Sequence, residues 1–292
     1  MPKFILIDGN ALVHRAYHAL PRLTTPKGEL INAVYGFTSV LLRVLKELQP
    51  EYVAVTFDLE GPTFRHEEFE EYKATRVKAP QELYDQLQRV KEVVRAFNIP
   101  IYEKQGYEAD DVIGTLACLA IKLKQKVATI IVTGDLDTLQ LVDEGTSVYT
   151  LKKSIQDTVL YDEKKVAERY GLTPEQMTDF KGLKGDPSDN IPGVPGIGEK
   201  TASELLKEFH NLDALYQNLA NLPKRIQGKL TEYKDQAFFS KYLATIKRDV
   251  PIDFDLTKCR LADYNPQEVK KLFEELGFNT LLKRLPLNEK KK

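Results

Sequence analysis

The sequence predicts an α/β fold: a mainly parallel twisted sheet with helices on both faces, followed by an all-helical subdomain. Three observations lead to it. Short β-rich runs recur as FILID (4–8), YVAVTFD (52–58) and VATIIVTGD (127–135). Helical patterns lie between these runs, and strand patterns fade after Tyr161. Strands that alternate with helices are typical of parallel sheets covered on both sides.

The first third of the chain alternates strand and helix. A helix follows FILID through NALVHRAYHAL, and an apolar-periodic helix over AVYGFTSVLLRVLKEL (33–48) ends before Pro50. The segment 59–80 interrupts this pattern, because aromatic and charged residues are mixed along it. A further helix is predicted from about Gln81 to Phe97.

The remaining elements complete the sheet and begin the helical part. IPIYE (99–103) predicts a strand, YEADDVIGTLACLAIKLK a helix, and SVYTL with TVLYD a hairpin around Gln156 and Asp157. Helices follow one another from Thr173, an N-cap residue placed before a proline. We predict an α/β core over 1–170, a helical subdomain over 171–286 and a tail or linker start over 287–292.

Composition limits the class of protein. The 292 residues are 42% hydrophobic and 29% charged, which suits one large or two modest globular domains with a substantial core. Two cysteines, Cys118 and Cys259, cannot form a disulfide framework, so we expect a reducing cytosol. The N-terminal MPKFILID is too short to be a signal peptide, and no apolar run has the length that spans a bilayer. We therefore expect a cytoplasmic protein with no membrane partner.

Carboxylates follow the predicted strands at the point where each strand ends. Asp8, Asp58 and Asp135 come at the ends of the three β-rich runs, with Asp137 two residues further on. The carboxyl ends of parallel strands meet at one edge of the sheet, where such folds bind ligands. A second set, Glu108, Asp110 and Asp111, opens a helix that follows a strand, so it belongs to the same edge. The pattern predicts one acidic cleft.

Each acidic residue taken singly has an ordinary explanation as a helix N-cap or a partner of the helix dipole. The set is harder to explain in this way, because residues 105–121 and 127–151 contain no Lys or Arg to neutralise it. Divalent cations are the simplest remedy. Oxygen ligands without Cys or a His pattern favour Mg²⁺, with Mn²⁺ as a substitute, and the number of acids favours two or more ions.

A glycine-rich turn in the C-terminal part predicts a phosphate-binding hairpin. In KGLKGDPSDNIPGVPGIGEKTASELLKEF (181–209), the acids Asp186 and Asp189 precede a turn that opens a helix. A P-loop is excluded because Glu199 separates the last glycine from the lysine, and prolines replace the strand. A helix-hairpin-helix over 190–209 fits better, with backbone N–H groups and nearby polar side chains facing phosphate. Its candidate residues are Gly193, Gly196, Gly198, Lys200 and Thr201. The alternative is an ordinary helix connection that binds nothing.

Five motifs occur together and in order: IDGNALVHRAYHAL, FDLEGPTFRHEEFEEYKATR, GYEADDVIG, TGDLDTLQLV and KGDPSDNIPGVPGIGEKTA. In this combination the chain resembles the 5′ nuclease (flap endonuclease) family over residues 4 to 285. It most resembles the 5′–3′ exonuclease domains of bacterial DNA polymerases. The resemblance implies the PIN-like nuclease core of that family, with a helical arch over 59–80 that admits a 5′ single strand.

The resemblance also assigns roles to residues. It implies that Lys73 and Arg76 contact the scissile phosphate and that Arg15 and Arg65 bind substrate, while Tyr72 is an aromatic candidate for stacking on bases. The implied metal carboxylates are Asp8, Asp58, Glu108, Asp110, Asp111, Asp135, Asp137, Asp186 and Asp189. Removing these nine acids from the formal net charge of −1 leaves +8, which fits a phosphate backbone as partner.

The function expected from the sequence is Mg²⁺-dependent hydrolysis of DNA phosphodiesters near single-strand/duplex junctions, as a 5′–3′ exonuclease and flap endonuclease of DNA replication and repair. The expected partner is DNA with a free 5′ end, a flap or a nick, bound by a monomer that is fused to or works with a DNA polymerase. The resemblance adds a monovalent cation at the helix-hairpin-helix. The alternatives are a catalytically silent DNA-structure-binding module and a metal-dependent phosphatase or ribonuclease of related architecture.

Overall fold

A computed structural model describes residues 1–151, 157–261 and 264–285. Its centre is a six-stranded sheet in the order β3-β2-β1-β4-β5-β6, parallel except for the β5–β6 pair. The predicted fold class is confirmed. The predicted hairpin is also present as β5 and β6; Gln156, which was predicted at its turn, lies outside the described residues. The strands are β1 (Lys3–Asp8), β2 (Tyr52–Thr56), β3 (Ile101–Tyr102), β4 (Ala128–Thr133), β5 (Thr146–Leu151) and β6 (Thr158–Tyr161).

Helices cover both faces of this sheet and form the C-terminal part. Short 3₁₀ turns also occur, one of them over Leu136–Leu141 directly after β4. The helices are α1 (Gly9–Ala19), α2 (Asn32–Leu48), α3 (Phe64–Glu68), α4 (Gln81–Ala96), α5 (Ala109–Ile121), α6 (Glu163–Tyr170), α7 (Met177–Lys184), α8 (Glu199–Phe209), α9 (Leu212–Gln217), α10 (Lys224–Glu232), α11 (Lys234–Ala244), α12 (Pro266–Glu275) and α13 (Asn279–Leu282).

Two buried clusters hold these layers together. One packs α5 and the sheet against the helices that follow α6, through residues such as Ile131 and Phe180. The other packs the opposite sheet face against α1, α2 and α4. Helices α12 and α13 join this other hydrophobic core through Phe273 and Leu281, so they return to the N-terminal part of the molecule. They were predicted as part of the helical subdomain; the predicted tail over 287–292 lies outside the described residues.

The segment 59–80 differs from the helical arch that was predicted. Its described regular structure is the five-residue helix α3, and turns follow to about residue 76. The sequence has no sustained apolar period there, so a longer helix would have no face to bury. Instead, Arg65 and Tyr72 are buried and carry the segment down onto the carboxyl edge of the sheet.

One glycine shapes that edge. Gly9 opens α1 directly after β1, and a Cβ atom built on it would lie 2.3 Å from the ring of Phe57. The absent side chain lets the chain after β2 approach the start of α1. This close approach places Asp58 next to the end of β1, where Asp8 lies. No helix in the described part of the chain is long and apolar enough to cross a membrane.

Candidate metal centre and nucleic-acid interface

The site begins at the ends of two neighbouring parallel strands. Asp8 ends β1, and its two carboxylate oxygens accept hydrogen bonds from the Ala11 backbone N–H at 2.9 Å and the Thr133 hydroxyl at 2.7 Å. Burial raises the pKa of Asp8 to about 7, and the nearby charges of Asp58 and Asp135 add to that effect. A carboxylate held this way is fixed in position, but burial and the neighbouring carboxylates disfavour its negative charge.

Two more acids, Asp58 and Asp110, come from the loop after β2 and from the start of α5. Asp58 accepts a hydrogen bond from the Ala109 backbone N–H at 2.7 Å, which ties the loop to α5. Asp110 points into the same space, and no hydrogen bond or ion pair to its side chain occurs within the described residues. Burial, followed by the charges of Asp8 and Asp135, raises the pKa of Asp110 well above its usual value.

These groups line a cleft of about 260 Å³, which we call the acidic cleft. Two cationic side chains, Lys73 and Arg76, cover one side of it, and Asn10 and His14 of α1 form another. Its carboxylates are Asp8, Asp58, Glu108, Asp110 and Asp135. The structure therefore brings together five of the nine predicted metal carboxylates at this point.

Three further predicted acids form a separate group, the second cluster: Asp137, Asp186 and Asp189. One carboxylate oxygen from each lies within 4.8 Å of the others. Lys181 on α7 pairs with Asp137, and with Asp186 at 2.6 Å. Although burial acts in the opposite direction, Lys181 and Ser188 lower the pKa of Asp186 to about 2, whereas burial raises that of Asp137 to about 6.

The acids have no Lys or Arg close to them in sequence, but cations from other parts of the chain pair with some of them. Lys73 lies 2.6 Å from Glu108, Arg76 lies 2.5 Å from Asp189, and Lys181 serves the second cluster. These cations come from distant parts of the chain, so the absence of Lys and Arg near the acids could not reveal them. The four Asp residues of the acidic cleft have no ion pair within 4 Å in the described chain. The need for an added cation is therefore confined mainly to that cleft.

The ninth acid, Asp111, is not placed to bind a metal. It is fully buried and forms a bidentate pair with Arg65, with distances of 2.7 and 2.9 Å. It also accepts hydrogen bonds from the backbone N–H groups of Glu108 at 3.1 Å and Lys247 at 2.8 Å. All four contacts satisfy the carboxylate, so it turns away from the cleft although Asp110 is its neighbour.

The prediction that Arg65 and Tyr72 contact DNA is wrong for a similar reason, because both side chains are buried and bonded to groups of the protein. Arg65 is 2% exposed and also donates to the carbonyl oxygens of Leu243 and Thr245, at 2.8 and 2.9 Å. Tyr72 is 3% exposed, and its hydroxyl lies 3.1 Å from Glu108 and 3.2 Å from Asp189. Neither side chain is accessible to DNA; both position acids of the site.

Lys73 and Arg76 keep positions that suit contact with a phosphate. Lys73 has a left-handed backbone (φ 56°), and its N–H donates to the Asp189 carbonyl oxygen at 3.0 Å. Such a conformation costs energy in a residue with a side chain, so the surrounding contacts must hold it. The Arg76 side chain is 50% exposed at the mouth of the acidic cleft. Arg15 of α1 lies beside Gly134, close to Asp135.

The predicted hairpin lies between α7 and α8. Gly193 (φ 60°) is buried, its N–H donates to the Ser240 hydroxyl at 3.0 Å, and a Cβ there would meet the backbone of Gly185 at 2.2 Å. It therefore shapes the turn and cannot also bind phosphate. Gly196 and Gly198 are exposed, and the Lys200 side chain is 89% exposed beside Thr201 at the start of α8. These four remain available to an anion.

Sequence reasoning missed Lys181, Asn10 and His14. Lys181 stands five residues before Asp186 within the quoted glycine-rich segment, so its spacing was a usable signal. Asn10 and His14 lie one turn apart on α1, next to Asp8, and both line the acidic cleft. A polar pair at that spacing directly after a strand-ending Asp was visible in the sequence.

The donor set fits a hard divalent cation. Both groups offer carboxylate oxygens, with no Cys in either and only His14 nearby, and Asp110 has an oxygen pair that nothing in the described chain satisfies. Oxygen-only sites of this kind suit Mg²⁺ and Mn²⁺ better than softer metals.

Comparison with known proteins places the chain among nucleases. It matches the family model "5′-3′ exonuclease, N-terminal resolvase-like domain" over residues 3–171 and "5′-3′ exonuclease, C-terminal SAM fold" over residues 172–267. DNA polymerase I of Bacillus subtilis (strain 168) is 46% identical over 284 residues, covering 97% of this chain and 32% of that protein. DNA polymerase I of Chloroflexus aurantiacus is 49% identical, covering 98% and 31%. The chain spans about a third of the length of these curated relatives.

Solved structures share its fold. The T5 5′-exonuclease with bound divalent metal ions (zinc) superimposes with a TM-score of 0.69 at 20% identity, over 94% of this chain and 98% of that one. The catalytic core of Rad2 in complex with DNA substrate gives a TM-score of 0.61 at 18% identity, over 94% and 87%. At these identities the likeness concerns the fold.

Proposed function

The chain belongs to the 5′–3′ exonuclease family, as its motifs predicted, and we propose that it is a Mg²⁺-dependent 5′–3′ exodeoxyribonuclease and 5′ flap endonuclease. The single observation that carries this proposal is the acidic cleft, where Asp8, Asp58, Asp110 and Asp135 converge without an ion-pair partner in the described chain. Such a set of charges is costly unless a cation completes it.

Asp8, Asp58, Asp110 and Asp135 would hold one ion, with Glu108 at the border of the site, and the second cluster would hold another. When bound, the metal ions supply Lewis-acid activation of water and stabilise charge on the leaving oxygen. The relevant family structures are consistent with this proposal, since the T5 5′-exonuclease is a divalent-metal complex.

Side chains of the protein would bind the scissile phosphate and stabilise its charge. Lys73 and Arg76 lie at the mouth of the acidic cleft, where they would contact the scissile phosphate and stabilise its developing negative charge. To do so they exchange their present partners, Glu108 and Asp189, for phosphate oxygens. Glu108 and Asp189 then become available to the metal ions. The hydroxyls nearest the site, those of Thr133 and Ser188, donate to Asp8 and Asp186, so we propose direct attack by water and no covalent intermediate.

The helix-hairpin-helix would bind the duplex. Gly196, Gly198, Lys200 and Thr201 present backbone N–H groups and a cation at the start of α8, and phosphate contacts of this kind fix register without selecting sequence. A monovalent cation at this turn is part of the proposal, as is Arg15 as a phosphate contact near Asp135.

The cellular setting is also proposed. The full-length relatives are DNA polymerases, which supports a chain that is fused to or works with a polymerase during replication and repair. A monomer acting in the cytoplasm, where chromosomal DNA of bacteria lies, fits this role.

The test is incubation of the purified chain with a 5′-flap duplex labelled at the flap end, with Mg²⁺ and with EDTA, followed by sizing of the products. The proposal expects cutting near the junction in Mg²⁺ and none in EDTA. Tight, structure-dependent binding without product would instead favour the silent DNA-binding module, and equal cutting of an RNA flap would favour a ribonuclease.

A further inference from the structure

A second cleft adjoins the acidic cleft on the side of β2, and we call it the flank cleft. It has a volume of about 590 Å³ and lies between α1, α4 and the loop after β2. Asn10, His14 and Asp58 line both clefts, so the two are continuous. The side chains particular to the flank cleft include Phe57, Leu59, Tyr84, Leu87, Gln88 and Lys91.

The walls of the flank cleft combine apolar faces with unused hydrogen-bonding groups. Leu59 is 37% exposed and Tyr84 is 39% exposed, and they are two of the eight large hydrophobic residues exposed in the described chain. The Tyr84 hydroxyl, the Gln88 amide and the Asn10 amide nitrogen have no hydrogen-bond partner among the described residues. An apolar cleft with a few such groups is typical of a small-molecule or nucleotide subsite.

The charge in the flank cleft argues against a phosphate as occupant. Its one lysine, Lys91, pairs with Glu103 and lies 5.1 Å from the centre of the Phe57 ring, so its charge is already compensated. Glu60 and Asp58 add negative charge to the rim. A neutral, flat group with polar edges fits this wall better, and a nucleobase has that chemistry.

The order of the strands indicates which nucleotide would enter. Asp137 of the second cluster follows β4, and α7, whose Lys181 pairs with Asp137, leads into the helix-hairpin-helix. The flank cleft lies beyond β1 on the side of β2. In the proposed flap reaction the duplex lies on the 3′ side of the cut, so a duplex bound at the hairpin would occupy the side of β4. The strand that leaves on the 5′ side would then pass toward the flank cleft.

On the basis of the proposed nuclease function, we propose that the flank cleft binds the nucleobase on the 5′ side of the scissile phosphate, with Tyr84 as its stacking surface and Leu59 opposite. The subsite would align the phosphate with the metal centre, because the sugar and phosphate connect the two clefts. Stacking on an aromatic side chain tolerates every base, so the subsite would orient DNA without selecting sequence.

A double comparison tests this proposal. Single-turnover cleavage is measured on a substrate with a normal nucleotide, or with an abasic one, directly 5′ of the cut. The wild-type chain should lose about tenfold in rate on the abasic substrate, the effect expected for one lost stacking contact. Tyr84→Ala should cut the normal substrate about tenfold more slowly and lose nothing further on the abasic one. Tyr84→Phe should behave as the wild type does.

Leu59→Ala and Leu160→Ala form a matched pair, since Leu160 is similarly exposed (38%) on β6 at the far edge of the sheet. Only Leu59→Ala should reduce the discrimination between normal and abasic substrates. An equal abasic effect in the wild type and in Tyr84→Ala would overturn the proposal.

A binding measurement separates this inference from the nuclease proposal. With 2-aminopurine at the same position and Ca²⁺ in place of Mg²⁺, stacking on Tyr84 should change the fluorescence on binding, and Tyr84→Ala should abolish the change. If the chain binds DNA but never cuts, the nuclease proposal fails while this signal still decides the base subsite. The same fluorescence change in Tyr84→Ala as in the wild type would contradict it.

Discussion

The acidic cleft and the second cluster contain similar residues but are neutralised differently. In the second cluster Lys181 pairs with two acids and Arg76 with the third, Asp189. In the acidic cleft, Asp110 has neither an ion pair nor a hydrogen bond in the described chain, and burial together with its neighbours raises its pKa well above the usual value. The difference shows how strongly each group needs an added cation: the Asp residues of the acidic cleft have no ion-pair partner in the described chain, whereas the second cluster would bind an ion only in competition with Lys181 and Arg76.

The largest expected effect comes from removing an uncompensated charge. Asp110→Asn should reduce Mg²⁺-dependent flap cleavage by about a thousandfold, the upper end for one electrostatic group in a catalytic site. The fold should be unaffected or slightly more stable, because a like-charge repulsion disappears. Single-turnover rates and thermal melts measure the two effects, with Asp213→Asn on the exposed surface of α9 as the matched control. Near-wild-type cleavage by Asp110→Asn would break the comparison.

The neighbouring residue should respond in the opposite way. Asp111→Asn leaves the buried guanidinium of Arg65 without its partner, and breaking a buried pair on one side typically costs about 3–5 kcal/mol. Urea unfolding should show this loss in EDTA as well as in Mg²⁺, since no metal is involved. A variant that keeps full stability and loses only activity would return Asp111 to the set of metal ligands.

The pH dependence of stability of the metal-free protein should reveal the raised pKa of Asp8. The folded pKa of Asp8, about 7, lies above its unfolded value, so at pH values between the two the folded state holds a proton that the unfolded state releases. Its stabilising effect is present at low pH and is lost as pH rises through about 7. The metal-free chain should therefore gain about 1–3 kcal/mol in unfolding free energy from pH 8 to pH 5.5 relative to Asp8→Asn. Equal profiles for the two proteins would contradict this.

The smallest expected effect concerns the second cluster. Lys181→Met removes its built-in cation, and a change of about 1 kcal/mol in stability is expected in EDTA, where Asp137 and Asp186 would repel each other. Saturating Mg²⁺ should restore part of that loss. Melting midpoints in EDTA and Mg²⁺ give both values, and identical midpoints for Lys181→Met and the wild type in EDTA would show that the pairing contributes nothing measurable.

The parts that the sequence predicted correctly are those governed by local pattern. Strand periodicity located β1, β2 and β4, and the rule that parallel strands end at one edge brought Asp8, Asp58 and Asp135 together. The β5–β6 hairpin followed from two short runs. Each of these depends on residues close in sequence or on a general property of sheets.

The rest depended on contacts between distant residues. Arg65 meets Asp111 across 46 positions and reaches the Leu243 carbonyl across 178, so neither its burial nor its structural role could be read from a charged segment. The same holds for Tyr72, whose side chain is buried and is not exposed on the surface of the segment 59–80. That segment lacks helical periodicity, and its described structure is correspondingly one short helix and turns.

The most direct test of the metal centre in the acidic cleft is the change in melting midpoint between EDTA and saturating Mg²⁺, measured for the wild type and for Asp110→Asn. A ligand that binds the folded state alone stabilises it according to its affinity. We expect a clear upward shift for the wild type that is mostly lost in Asp110→Asn, because the acidic cleft is where an added cation is needed. An equal shift in both proteins would show that Mg²⁺ acts elsewhere and that the acidic cleft is not the metal centre.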